Sequence, residues 1–218
     1  MREGRGGWCY EHNLLLSHAL RALGFRVTWL AARVLYNAAE GVTPARSHML
    51  LRVDINGKSY IADVGFGGLT LTAPLRLEAD IEQATPHGSF RLIRFGEEFI
   101  QQAKFQGEWK TLYRFALHEQ QLADYEVSNW YLSHHPESIF VTGVIAARPD
   151  AGCRYAMRNN ELSVYHMDGK VERRVLASAA ELRAALEGPL RVALPDAPEL
   201  AAALERLTAP EAGQTAAV

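Results

Sequence analysis

Asn56-Gly57 stands between two runs rich in apolar and β-branched residues, Met49–Ile55 and Ser59–Val64, and no other feature restricts the chain's folding as tightly. Asn-Gly between such runs is a strong short-range signal for a β-hairpin, because both residues tolerate the positive φ angles of a two-residue turn. A two-residue loop sets Ile55 opposite Lys58. Counting outward, Leu50 faces Asp63 and His48 faces Gly65. Directly opposed residues share a face and alternate residues return to it, so His48 and Asp63 are diagonal neighbours on one face. The other face carries Met49, Leu51, Val53 and Ile55 opposite Tyr60, Ala62 and Val64, and reads as core. His48 and Asp63 are therefore expected on the less apolar face. A slip of one residue would separate them.

Further strands are expected at Phe25–Tyr36, Ser89–Phe95, Glu98–Phe105 and Trp109–Leu117, the last pair turning at Gln106-Gly107, and at Leu162–Met167 with Lys170–Leu176 across Asp168-Gly169. Helical spacing of Leu15, Ala19, Leu20 and Leu23, followed by Gly24, predicts a helix from about Trp8 to Leu23. Leu122–Leu132 can also be helical, and Ser178-Ala-Ala-Glu181 forms a capping box opening a helix to about Leu186. Strands joined by short turns, with helices at the ends rather than in strict alternation, indicate an α+β fold with antiparallel sheet. From Pro195 the chain is rich in Ala and Pro, and disorder is expected after about Thr208.

The 218 residues suit one to two domains, and 23 basic against 25 acidic side chains leave a formal net charge of −2. With no basic stripe there is no electrostatic footprint for nucleic acid or an anionic membrane. No apolar run approaches a membrane span, and the first residues lack a signal core, so the chain is placed in the cytoplasm. Cys9 and Cys153 are far apart in sequence and are not expected to pair in a reducing compartment. Metal binding is discounted: Cys9 and His12 lack the further ligands a structural zinc site needs.

Arg5-Gly6-Gly7-Trp8 places Cys9 at the start of the predicted helix, where free N–H groups and the helix dipole favour a thiolate. An isolated cysteine is as readily a buried small apolar residue. A nucleophilic cysteine needs a base and a group to orient it, and the hairpin nominates His48 and Asp63 among eight histidines and 25 acidic residues. The competing reading is an incidental surface His and Asp.

At these residues the sequence resembles the arylamine N-acetyltransferases. The matching segments are Arg5–Asn13 (RGGWCYEHN), Ser47–Leu51 (SHMLL), Tyr60–Gly68 (YIADVGFGG), and Asn129–Leu132 with His135–Ser138 (NWYL, HPES). The resemblance runs from Arg5 to about Leu186. It implies Cys9 as the acetyl-accepting nucleophile, His48 as its base and Asp63 as the group orienting His48, in a cysteine-protease-like arrangement. It also implies acetyl-CoA as donor and a ping-pong mechanism delivering acetyl to an arylamine or arylhydrazine. Phe66 and Ser47 become candidates for substrate contact, and Gly65, Gly67, Gly68 and Tyr131 for contact with CoA. The implied architecture is a remnant of a helical domain at 1–25, an antiparallel β-barrel-like domain at 26–118, an α/β lid at 119–207 and a disordered tail at 208–218.

Family members carry several dozen residues of helical bundle ahead of the cysteine motif, whereas this sequence begins just before it. The expectation is an uncovered apolar face on the first helix, including Leu15, Leu16 and Leu20. Two other readings share the same residues: a cysteine hydrolase or transglutaminase-type acyltransferase, and a catalytically dead binding module.

Overall fold

A computed structural model describes residues 4–208. The first helix, α1 (Cys9–Ala22), leads into an antiparallel sheet of eight strands: β1 (Arg26–Val34), β2 (Arg46–Ile55), β3 (Lys58–Ala62), β4 (Leu75–Arg76), β5 (Gln83–Thr85), β6 (Gly88–Phe95), β7 (Glu98–Phe105) and β8 (Glu108–Phe115). Their spatial order is β4-β3-β2-β1-β8-β7-β6-β5. The sheet curls until its two edges meet at Gln83, whose carboxamide accepts from the Arg76 N–H at 2.7 Å and donates to the Arg76 carbonyl at 3.0 Å. One side chain thus supplies the donor and acceptor of a missing strand partner and nearly closes the barrel.

The predicted turns hold the ladders. Asn56 and Gly57 have φ of 50° and 76°, and Gln106 and Gly107 have 50° and 83°, the left-handed pair a two-residue hairpin turn requires. The β2–β3 register runs from Ile55↔Lys58 to Leu51↔Ala62, as counted from the sequence, and Asp63 follows directly beyond it.

The competing reading of an incidental surface His and Asp is excluded, both side chains being buried. The His48–Asp63 side is not a solvated face. It lines the barrel interior with Leu30, Leu50, Ile61, Phe90, Leu92, Tyr113 and Phe115, while Met49, Leu51 and Val53 form a second buried layer with Tyr10, Val27 and Tyr125 outside the barrel. β2 is covered on both sides, so both of its faces are buried.

After the barrel come α2 (Leu122–His134), α3 (Ile139–Thr142) and a second sheet of β9 (Ile145–Asp150), β10 (Cys153–Arg158), β11 (Glu161–His166) and β12 (Val171–Val175), in the order β12-β11-β10-β9. Helices α4 (Ala179–Glu187) and α5 (Pro198–Thr208) follow, and Met157, Leu176, Leu182, Leu186 and Leu204 form the core between them and this sheet. β9, β10 and α5 were not expected from the sequence. The Ala/Pro-rich stretch read as the start of a tail contains a helix whose Leu200, Leu204 and Leu207 recur at helical spacing on the packed side. The tail expected to be disordered, from residue 209 on, lies outside the described residues. The Ser178 cap forms, its hydroxyl accepting from the Glu181 N–H, but Glu181 reaches back to Ala177 N–H rather than to Ser178. Of the three leucines expected to be uncovered on α1, only Leu15 is exposed; Leu16 and Leu20 pack half-buried against the outer layer. Among the described residues no helix is long and apolar enough to cross a membrane.

Candidate active site

Each member of the site arrives on a different element. Cys9 is the first residue of α1, and Glu11 caps that helix by accepting from the Trp8 N–H at 3.0 Å. The unpaired N–H groups of the first turn place partial positive charge beside the thiol. His48 comes from β2 at a bulge: Ala32 pairs with His48 and Arg33 with Arg46, so Ser47 is an extra residue in the ladder. The Ser47 carbonyl lies 3.8 Å from Cys9 Sγ, and the same thiol is among the groups that raise the His48 imidazole.

Asp63 completes the line. Its Oδ2 accepts from His48 Nε2 at 2.7 Å and from the Tyr113 hydroxyl at 2.9 Å; its Oδ1 accepts from the Gly65 N–H at 2.9 Å and from Asn13 Nδ2 at 3.1 Å. Four donors satisfy a carboxylate that is fully buried. Burial alone would push the Asp63 carboxyl up, but His48 beside it, with the Gly65 N–H and Asn13, holds it below the ordinary carboxylate range. For His48 burial acts downward and loses to the Asp63 carboxylate and to Cys9, which together push the imidazole up to about 10. Because Nε2 is engaged by Asp63, Nδ1 remains for Cys9.

Asn13 ties the parts together. Four residues after Cys9, on the same side of α1, it donates to the Met49 carbonyl and to Asp63, and its oxygen accepts from the Val64 N–H at 3.1 Å. Beyond Asp63 the chain turns tightly: the Thr70 hydroxyl donates to the Asp63 carbonyl, and the buried Arg154 guanidinium of β10 donates to the carbonyls of Gly68, Thr70 and His87. Burial lowers that guanidinium to about 10. Among the described residues no group of three or more His, Cys, Asp and Glu is arranged for a metal.

The match to one family model decides the relationship: a model described as N-acetyltransferase spans residues 1–198. The chain belongs to the arylamine N-acetyltransferase family. This member is 42% identical over 195 residues to an arylamine N-acetyltransferase of Mycolicibacterium smegmatis, covering 88% of this chain and 70% of that one. It is 38% identical to an arylamine N-acetyltransferase of Escherichia coli, covering 96% and 77% of the two chains. A solved arylamine N-acetyltransferase of Mycobacterium marinum in complex with CoA superposes with a TM-score of 0.90 at 36% identity, covering 94% of this chain and 78% of the other.

In this arylamine N-acetyltransferase the residues singled out from the sequence are only partly gathered. Cys9, His48 and Asp63 meet, and Ser47 stands beside them. Phe66 lays its ring against His48 and Tyr113, with centroids 5.1 and 5.0 Å away. Gly65 abuts Cys9, Gly67 has φ +69° with open space around it, and the Gly68 carbonyl is held by Arg154. Tyr131 lies 47% exposed on α2, its ring stacked on His135 at 4.4 Å. Asn13, Tyr113, Gln101 and Arg154 were not nominated by sequence reasoning. The spacing of Asn13 from Cys9 was a usable signal for one of them; the others come from strands whose pairing is set far along the chain.

Proposed function

We propose that the chain transfers acetyl from acetyl-CoA to an arylamine or arylhydrazine through an acetyl-cysteine at Cys9. The observation that carries this reading is the buried line Cys9, His48, Asp63, with the carboxylate saturated by donors and the thiol at a helix start. His48, raised by Asp63, holds the proton that Cys9 gives up. The Cys9 thiolate attacks the thioester carbonyl, a carbon–sulfur bond forms, and the bond to CoA breaks. His48 protonates the departing CoA sulfur. In the second half an amine nitrogen attacks the acetyl-cysteine, His48 takes the nitrogen's proton, and the Cys9 thiolate is expelled. Sulfur suits both halves, as nucleophile and then as leaving group.

Within this reading residues 1–25 carry the nucleophile, 26–118 the base and its partner, and 119–207 form the lid. Phe66 is assigned to the aromatic ring of the amine, since its ring stands beside the His48 imidazole in a T-shaped contact. Ser47 is assigned to the rim of the acceptor site, and Gly65, Gly67, Gly68 and Tyr131 to CoA. A nucleophile that must stay a free thiol, as both cysteines are here, suits a reducing cytoplasm.

Intact-protein mass after incubation with acetyl-CoA tests the reading. Gain of one acetyl group, absent in Cys9→Ala and discharged by an aniline or aryl hydrazine faster than by water, is expected. Discharge by water at the same rate would make the protein a hydrolase, and no Cys9-dependent adduct on folded protein would overturn the assignment.

A further inference from the structure

Tyr113 carries one hydroxyl proton and has two oxygens within reach: Asp63 Oδ2 at 2.9 Å and the side-chain oxygen of Gln101 at 2.8 Å. Gln101 is itself completely buried, and its Nε2 meets no acceptor. The oxygen and nitrogen of a carboxamide exchange places by a half-turn that leaves the side chain's shape unchanged. With the oxygen toward Tyr113, either choice for the proton is poor. Given to the charged Asp63, it leaves two oxygens facing each other with nothing between them. Given to Gln101, it strips Asp63 of a donor in an interior built from Leu30, Leu50, Phe90 and Leu92. With the nitrogen toward Tyr113, the amide donates to the hydroxyl oxygen, and the hydroxyl proton has only Asp63 to go to.

We propose that the Gln101 carboxamide stands with its nitrogen toward Tyr113 and acts as a positioning residue, committing the Tyr113 proton to Asp63 and so keeping Asp63 ionised and aimed at His48 Nε2. The role rests on the reading of Cys9, His48 and Asp63 as the reacting group. The fold makes the pair deliberately close: Gln101 and Tyr113 are directly opposed across β7 and β8, and the ladder is irregular at once beyond them, where Gln102 pairs with Thr111 and Leu112 is the extra residue. An apolar side chain would fill the same space in that core. A chain of donors therefore runs from Gln101 through Tyr113 to the carboxylate, entering Asp63 on the oxygen that His48 also uses.

Two substitutions and one direct observation test it. In Gln101→Glu the introduced carboxyl, while protonated, donates to Tyr113 as the amide does; once ionised it accepts the Tyr113 proton and withdraws it from Asp63. Cys9 alkylation by iodoacetamide in Gln101→Glu is expected to stay within about 3-fold of wild type at low pH. It should then fall at least about 10-fold on a new descending limb absent from wild type and from Gln101→Met. A Gln101→Glu profile parallel to wild type, or faster alkylation in Gln101→Met, would overturn the proposal, since the latter means that Gln101 competes for the proton. Neutron diffraction from crystals of the deuterated wild-type protein decides independently of how the variants fold. A deuteron on Nε2 directed at the Tyr113 oxygen is expected, and a hydroxyl deuteron directed at Gln101 would refute it. Neither measurement needs acetyl-CoA, so failure of the chain to take up acetyl would strike the proposed function and leave Gln101 to be judged by these results.

Discussion

Gly65 packs so closely on Cys9 that a β-carbon at position 65 would stand 2.5 Å from Cys9 Cα and 3.0 Å from its Cβ. The turn that presents Asp63 and the helix that presents Cys9 touch backbone to backbone there, and the Gly65 N–H donates to Asp63 at the same point. Absence of a side chain is what lets nucleophile and carboxylate sit on either side of one imidazole.

Gly65→Ala should therefore destabilise the protein by about 3 kcal/mol and slow Cys9 alkylation at least about 10-fold, because a packed interior accommodates an extra methyl only by moving backbone. Gly67→Ala is the comparison. Its φ of +69° makes the substitution strained, at about 1 kcal/mol, but nothing lies within 4 Å of the added carbon. Urea denaturation and alkylation rates measured on both would contradict this account if the two variants behaved alike.

Asp63→Asn should lower the acetyl-transfer rate on the order of 1,000-fold while the variant still folds, since an amide no longer enforces the Nε2–H tautomer or stabilises the imidazolium. The check is the steady-state rate with acetyl-CoA and an aromatic amine, alongside circular dichroism. A loss under 10-fold would remove Asp63 from the mechanism.

The raised His48 imidazole also gives stability a pH dependence of definite sign. Protonated His48 stabilises the folded state, so its contribution is complete below the unfolded value of 6.5 and drains away as pH rises toward about 10. The lowered Asp63 carboxyl acts oppositely, its contribution present above the unfolded value of 3.8 and lost as pH falls below it. The stability difference between wild type and His48→Gln should therefore shrink steadily between pH 6.5 and 10. Chemical denaturation across that interval measures it, and a difference that stays constant from pH 6.5 to 10 would mean that His48 is neutral in the folded protein.

Arg154→Met should cost about 3 kcal/mol, because three carbonyls, those of Gly68, Thr70 and His87, lose their donor together in a buried place. Arg154→Lys should recover only part of it, a single ammonium being unable to span the fork. Thermal denaturation of the three proteins gives the order wild type, Arg154→Lys, Arg154→Met; equal midpoints for the two variants would show that the fork is immaterial.

Local chemistry made part of this legible in advance. Two residues with positive φ at Asn56-Gly57 set the register, and register alone placed His48 and Asp63 on one face. Which environment that face met was not local. Arg52 and Asp54, at the open end of β2, made the His48 side look polar, and only the closing of the barrel turned its deeper half inward. β9 and β10 escaped notice because Ala146, Ala147 and Pro149 carry little of a strand's usual signal, and the sheet exists by pairing. α5 was obscured by a composition that also suits a tail, until a core was there to receive Leu200, Leu204 and Leu207.

The sequence by itself determined the turn positions, the helix start at Cys9 and the diagonal relation of His48 to Asp63, because each depends on residues a few positions apart and on fixed backbone periods. Tertiary structure alone decided that the three would meet, that Asn13 and Tyr113 would complete the carboxylate's donors, and that Gln101 would stand behind Tyr113. Those contacts join residues 12 to 50 positions apart. Such distances are bridged only when whole strands pair, and pairing is driven by burial summed over the barrel rather than by any signal in the segments themselves.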